Sequence, residues 1–261
     1  GVFSISKLGL PSVSGMDHSL KMAVEINKVK LSGYADSYII PLSAPTCLES
    51  FSSWRPKVKE FGAKVVNLSW HLEMDKVSCN KTKFKRVITR GKEFLWVMSA
   101  GNDFLTVSGE TVKNCPQNIS TNLPNTLIVG ALNKYSNSGK DYVDISVEVG
   151  TTSEAAARVS GFADKIFRKY HHLSIRDLKN ILIFSSTPNI KAPESRSQGF
   201  VDFEIATKLA QKYADLKSKN QLNINRLINF KWKQSNWGRL DKRRERKKDK
   251  ERFKNYKLLE N

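Results

Sequence analysis

Three short stretches of the chain carry side chains able to do chemistry on a substrate. In DHSLKMAVEI, residues 17 to 26, Asp17 can cap a helix whose first residue is His18, with Leu20, Ala23, Val24 and Ile26 on its buried side. An imidazole at a helix start can serve as a general base, and a lone His can equally be structural or exposed. In MSAGND, the bulky run from Phe94 to Met98 shrinks to Ser99, Ala100 and Gly101 and then presents Asn102. A carboxamide fixed at a strand end can donate a hydrogen bond to a developing oxyanion; a plain Gly-Asn turn would read the same way. The third stretch is EVGTTSEAAARVSGFA, residues 148 to 163. Thr151 and Glu154 have the spacing of a capping box, and Ser153 then falls in the first helical turn, where free N–H groups and the helix dipole favour an anion. That position suits a nucleophilic Ser without requiring one. Ala155, Ala156, Ala157, Ser160 and Gly161 leave this helix no bulky face, so it must approach other backbone closely or carry a group that needs a packed neighbourhood.

These residues need a scaffold, and the apolar pattern describes one. SYIIPLS (37–43), KVVNLSW (64–70), FLWVMSA (94–100) and TLIVGAL (126–132) are short apolar runs bounded by Gly, Pro, Asn or Asp, the pattern of strands buried on both faces. Helical spacing fills 18–30, 50–61 and about 80–91, then 153–170, 174–186 and 200–217. Ser174 with Asp177 three residues on marks another helix start. Alternating strands and helices imply an α/β fold with a mostly parallel central sheet between helical layers, and reactive groups gather at the carboxyl ends of such strands.

With 261 residues and 39% hydrophobic content, the chain can bury a full core. No apolar run approaches the roughly 20 residues needed to span a bilayer. The net charge of +19 is concentrated at the carboxyl end, where 13 positions from Lys242 to Lys254 hold nine Lys or Arg against three acids. The expected division is therefore a globular body over residues 1–221 and a basic tail over 222–261. The tail's cations and its Phe230, Trp232 and Trp237 could meet a nucleic acid or another anionic surface; a solvated, partly helical extension is the preferred reading. Cys47, Cys79 and Cys115 lack zinc-site spacing, and a Cys79–Cys115 disulfide or three unpaired thiols both fit.

Taken in order, DHSLKMA, KVVNLSW, SAGND, TLIVGAL, VDIS and TTSEAAARVSG resemble the subtilisin-like serine peptidases, the subtilase family (peptidase family S8). LSIRDLKNILIFSST and SQGFVDFEIATKLA are similar to the family's two closing helices. The resemblance runs from about residue 15 to 215 and implies the subtilisin-like three-layer fold and hydrolysis of protein or peptide substrates. It implies His18 as general base, Ser153 as nucleophile and Asn102 as the oxyanion-hole side chain, with Ser69 and Trp70 on the strand that lines the substrate cleft. No cofactor is required; structural calcium is implied only by the resemblance, with no Asp-rich loop to assign it to. Secretion or a cell-surface location is likewise implied by the family alone.

The pattern departs from the family in several places. The family's Asp lies on a strand upstream of its His, whereas residues 1–16 contain no acid. His-Gly-Thr is here His18-Ser19-Leu20, the Gly before Thr-Ser is Thr151, the helix Pro is Ala157 and the cleft-strand Gly is His71. Two expectations follow. Either the N-terminal part of the fold is missing and the Asp lies on a segment before Gly1, the preferred reading, or the domain is catalytically inactive and binds extended peptides.

Overall fold

The computed structural model describes residues 2–6, 13–29, 37–43, 55–56, 59–69, 72–73, 81–106, 114–115, 117–121, 123–234 and 239–254. Trp70, Trp237, Cys47 and Cys79 lie outside them; Trp232 and Cys115 are described by their backbone alone. The strands are β1 (Val2–Ser6), β2 (Ile39–Ser43), β3 (Val65–Leu68), β4 (Leu72–Glu73), β5 (Leu95–Ser99), β6 (Asn114–Cys115), β7 (Thr126–Ala131), β8 (Ile145–Val147), β9 (Ser186–Pro188) and β10 (Gly199–Val201). The helices are α1 (Val13–Lys28), α2 (Lys81–Arg90), α3 (Gln117–Ser120), α4 (Thr152–Lys169), α5 (Ile175–Ser185), α6 (Phe203–Ser218), α7 (Ile224–Gln234) and α8 (Arg239–Lys254).

Among the described residues, eight strands form one sheet in the order β2-β1-β3-β5-β7-β8-β10-β9, parallel except for the β10–β9 pair. Its inner strands are buried on both faces, as their uninterrupted apolar runs require. Side chains alternate across a strand, so Val65, Leu95, Val97, Leu127 and Val129 join the core beneath α1 and α4, while Val66, Leu68, Trp96, Met98 and Ile128 are buried at the alternate positions. Both expected capping boxes form: Thr151 with Glu154 starts α4, and Ser174 with Asp177 starts α5.

The small residues of α4 have a clear structural cause. A Cβ on Gly161 would lie 1.8 Å from the carbonyl oxygen of Ile26, so α4 meets α1 backbone to backbone. The same pair is tied by Arg158 Nε, which donates to Glu25 Oε2 at 2.8 Å, and Glu25 also pairs with Lys28. Burial alone would raise the Glu25 pKa, but its bonds to Lys28 and Arg158 outweigh that and hold it below the usual carboxylate range.

Four expectations are corrected. Helix α1 begins at Val13, so Asp17 lies inside it and is not its cap. Leu20 and Val24 are 67% and 53% exposed, and the inward stripe is Met22, Glu25, Ile26 and Val29, which continues the helical row of His18. The helical stretch expected over 200–217 begins instead with β10, and its helix starts at Phe203. Finally, the basic tail is not merely solvated: Leu227 and Ile228 of α7 belong to the main core, and Lys231, 1% exposed, donates to the Ser186 carbonyl and to Asp249 of α8 at 2.6 and 2.8 Å. Acids and bases alternate along α8 in sequence, but Glu245 and Asp249 turn inward, a segregation that composition alone does not reveal.

Candidate active site

His18 and Ser153, far apart in sequence, meet at one backbone atom. His18 Nε2 lies 3.3 Å from the Ser69 carbonyl oxygen, and the Ser153 hydroxyl donates to the same oxygen at 3.1 Å. Nε2 and the Ser153 oxygen can therefore be no more than about 6.4 Å apart, the reach of a pair bridged by one water. Each residue is placed by its own helix. Ser153 occupies the first turn of α4 behind the Thr151 cap, and His18 stands on the inward row of α1, which is fixed to α4 at Gly161.

Ser69 follows β3 and links the two sides. Its side chain is buried; the hydroxyl donates to the Ser153 carbonyl at 3.0 Å and accepts from Asn67 Nδ2 at 3.0 Å. Asn67 Oδ1 in turn lies 3.1 Å from the Ser160 hydroxyl of α4. This buried polar chain locks the start of α4 to the carboxyl end of β3. Ser69, a cleft-strand candidate from its sequence, spends its hydroxyl on Ser153 and Asn67, and its carbonyl faces both His18 and Ser153.

Asn102 sits on the exposed segment after β5, and its orientation is set by α4. Its Oδ1 accepts from both the backbone N–H and the hydroxyl of Thr152, each at 3.2 Å. Because the Thr152 N–H can only donate, the atom facing it must be the oxygen, and Nδ2 is turned away. In the first turn, Thr152 N–H is taken by Asn102 and Glu154 N–H by the Thr151 hydroxyl; the Ser153 N–H has no protein acceptor among the described residues. Asn102 Nδ2 and the Ser153 N–H are thus two donors at the start of α4 that no protein acceptor among the described residues takes up. The part played by Thr152 was missed in the sequence, where its only signal is adjacency to Ser153.

Residues 6–201 match the subtilase family. The chain belongs to the subtilase family. Subtilases are serine peptidases, and protein is the substrate class that membership implies. Solved structures share the fold at low identity. Subtilase cytotoxin SubAB has a TM-score of 0.59 at 17% identity, covering 85% of this chain and 86% of that one. A lanthipeptide protease has a TM-score of 0.59 at 16% identity, covering 80% and 88%. The prenylagaramide maturation protease PagA has a TM-score of 0.54 at 20% identity, covering 79% and 92%. Among curated proteins, none matches this subtilase in sequence.

No carboxylate among the described residues pairs with His18, whose one hydrogen-bond partner there is the Ser69 carbonyl. The expectation that an upstream strand supplies the acid meets a topological obstacle. The strand next to β3 on the His18 side is β1, paired on its other side with β2, so a further strand could join this sheet only at its edges, β2 or β9. Ile5 pairs with Leu68, which brings Ser6 level with Ser69 at the carboxyl edge. The described part of this subtilase therefore fills the place next to His18 with a strand that ends in Ser.

No group of three or more His, Cys, Asp or Glu among the described residues could hold a metal ion. Among the described residues, no helix is long and apolar enough to cross a membrane. A pocket of about 410 Å³ lined by Lys64, Lys92, Asn125, Phe167, His171 and Arg176 lies at the amino ends of β3, β5 and β7, across the sheet from His18 and Ser153.

Proposed function

We propose that this subtilase is a serine endopeptidase in which Ser153 is the nucleophile, His18 the general base and Asn102 the oxyanion donor. The observation that carries the reading is the convergence of His18 and Ser153 on the Ser69 carbonyl, beside an Asn102 amide oriented by Thr152. In the resting arrangement the Ser153 proton points at Ser69, and Nε2 faces the same acceptor, so it carries the imidazole proton. For reaction the ring must present an unprotonated Nε2 to Ser153. The Ser153 oxygen then attacks the scissile carbonyl carbon while its proton passes to Nε2, and the negative oxygen is bound by Asn102 Nδ2 and the Ser153 N–H. Nε2–H next protonates the leaving amine, and water cleaves the acyl-enzyme by the same steps in reverse.

The test is labelling with a fluorophosphonate, followed by mass spectrometry of the modified peptide. The reading predicts a single adduct at Ser153 that Ser153→Ala abolishes and His18→Ala slows by orders of magnitude. Absence of any adduct, or an adduct that survives Ser153→Ala, would refute it; the first result would leave a domain that holds extended peptides without cleaving them.

A further inference from the structure

The segment that carries Asn102 is unusual in its backbone. Gly101 has φ 97° and Phe104 has φ 58°, so two positions within four residues occupy the left-handed region, one of them with a bulky side chain. Such a path persists only where surrounding contacts fix it. Asn102 itself is exposed and bonded to Thr152 alone among the described residues, so the direction of its amide depends on where the segment as a whole is held.

The holding group comes from elsewhere in the chain. Asn137 is fully buried, in the turn after β7. Its Oδ1 accepts from the N–H groups of Asp103 and Leu105 at 3.1 and 3.0 Å. Its Nδ2 donates to the Ala100 carbonyl and to Asp103 Oδ2, both at 3.0 Å, and its own N–H donates to the Gly101 carbonyl at 3.0 Å. Both donors and both lone-pair directions of the carboxamide are thus spent on the residues that flank Asn102. The neighbouring turn adds Phe104 N–H to Tyr135 O at 3.0 Å and an edge-to-face contact of the two rings at 4.3 Å. Tyr142 donates to the Ala100 carbonyl at 2.8 Å.

We propose that Asn137 is the positioning residue for the oxyanion site: it acts on catalysis through Asn102, by fixing the path of residues 100–105. This rests on the reading of Asn102 as an oxyanion donor. No side chain smaller than Asn can span from Ala100 to Leu105 with donors and acceptors in that order. Asp matches the shape but would set a second carboxylate against Asp103.

The experiment measures saturation kinetics of Ser153 labelling by a fluorophosphonate in Asn102→Ala, Asn137→Ala and the double variant, each checked for folding by circular dichroism. Loss of one oxyanion donor costs about 10²–10³-fold, so Asn102→Ala should lower the maximal labelling rate by that factor. Asn137→Ala should lower it by about 10²-fold or more with the half-saturating concentration unchanged. The double variant should be no slower than Asn102→Ala, because a residue acting only through Asn102 has nothing left to act on. Should Asn137→Ala fail to fold, Asn137→Asp takes its place: it should be slow, and adding Asp103→Asn should recover part of the rate by restoring a donor opposite the new carboxylate. Labelling within threefold of the unaltered protein, a loss in the double variant equal to the product of the single losses, or no recovery on adding Asp103→Asn would overturn the assignment to Asn137. A rate unaffected by Asn102→Ala, or no labelling of the unaltered protein, would overturn the reading of the site, and the assignment with it.

Discussion

Ser6→Asp is expected to make this subtilase a far faster enzyme. The register pairs Ile5 with Leu68, so position 6 lies one strand spacing, about 4.8 Å, from Ser69, whose carbonyl holds the His18 ring. A carboxylate there can take Nδ1–H of His18, which leaves Nε2 unprotonated and facing Ser153. As the ring stands, the proton on Nε2 is on the wrong nitrogen for a base. The magnitude can be bounded from two opposing effects. Loss of the Asp alone from such a triad costs about 3 × 10⁴-fold. Gaining one by substitution must first withdraw Nε2 from the Ser69 carbonyl, a net cost near 1 kcal/mol or about fivefold. The difference leaves a gain of several thousandfold, about 5 kcal/mol off the barrier. Turnover of a peptide ester and the rate of fluorophosphonate labelling at Ser153 would measure it, with Ser153→Ala in the Ser6→Asp background as control. A gain below threefold, or one that survives Ser153→Ala, would refute the placement of Ser6 or of the nucleophile.

Other substitutions probe the scaffold. Gly161→Ala places a methyl 1.8 Å from the Ile26 carbonyl, so α1 must shift by about 1 Å; labelling at Ser153 should fall about 10²-fold and chemical denaturation should report a loss of about 1–3 kcal/mol. Burial would raise the Asp177 pKa, but bonds from Lys217, Ser174 and Tyr213 outweigh it and hold the carboxyl below its ordinary value of 3.8. Its contribution is therefore full above that ordinary value and lost as pH falls through the lower folded-state value, so Asp177→Asn should flatten the acid side of a urea-stability profile taken between about pH 2 and 6. Asp249→Ala removes the counter-charge of Lys231, a pair 0% and 1% exposed, and should cost about 3–5 kcal/mol in the same assay.

Much of the sheet could be read from sequence because its strands are continuous β-branched or bulky runs, and the starts of α4 and α5 because capping boxes are local. The start of α1 could not, since Ser12, Ser14 and Asp17 are all cap-forming residue types and the sequence does not say which one begins the helix. Its buried face was misread because Leu20 and Val24 look like core residues, while the true stripe includes Glu25, an acid legible only with Arg158 beside it. Val2–Ser6 alternates apolar residues with Ser, the pattern of a half-buried strand and not of an inner one; its inner place comes from pairing with distant strands. The buried role of α7 and α8 was hidden because an inward Asp249 and a solvated one are spelled alike. His18, Ser69, Asn102 and Ser153 could be named as candidates because each sits in a distinctive local phrase. Thr152 and Asn137 make most of their bonds to the Asn102 segment through backbone groups, which leave no such phrase.

The order β2-β1-β3 divides the sheet in a way that bears on how the molecule fluctuates. Strand β2 reaches the rest of the sheet only through β1, and α1, which carries His18, packs on β1 and α4. Ser69, Asn102 and Ser153 all belong to the far side, built from β3, β5 and α4. Partial opening in proteins tends to follow such contiguous units. Here β1 and β2 would form one with α1, joined to the rest by the β1–β3 ladder and by the contact of α1 with α4 at Gly161, so their backbone amides would exchange with solvent together while those of β5 and β7 stay protected. His18 then stays beside Ser153 only while both the β1–β3 seam and the α1–α4 contact are closed, a condition stricter than the sheet core's remaining folded.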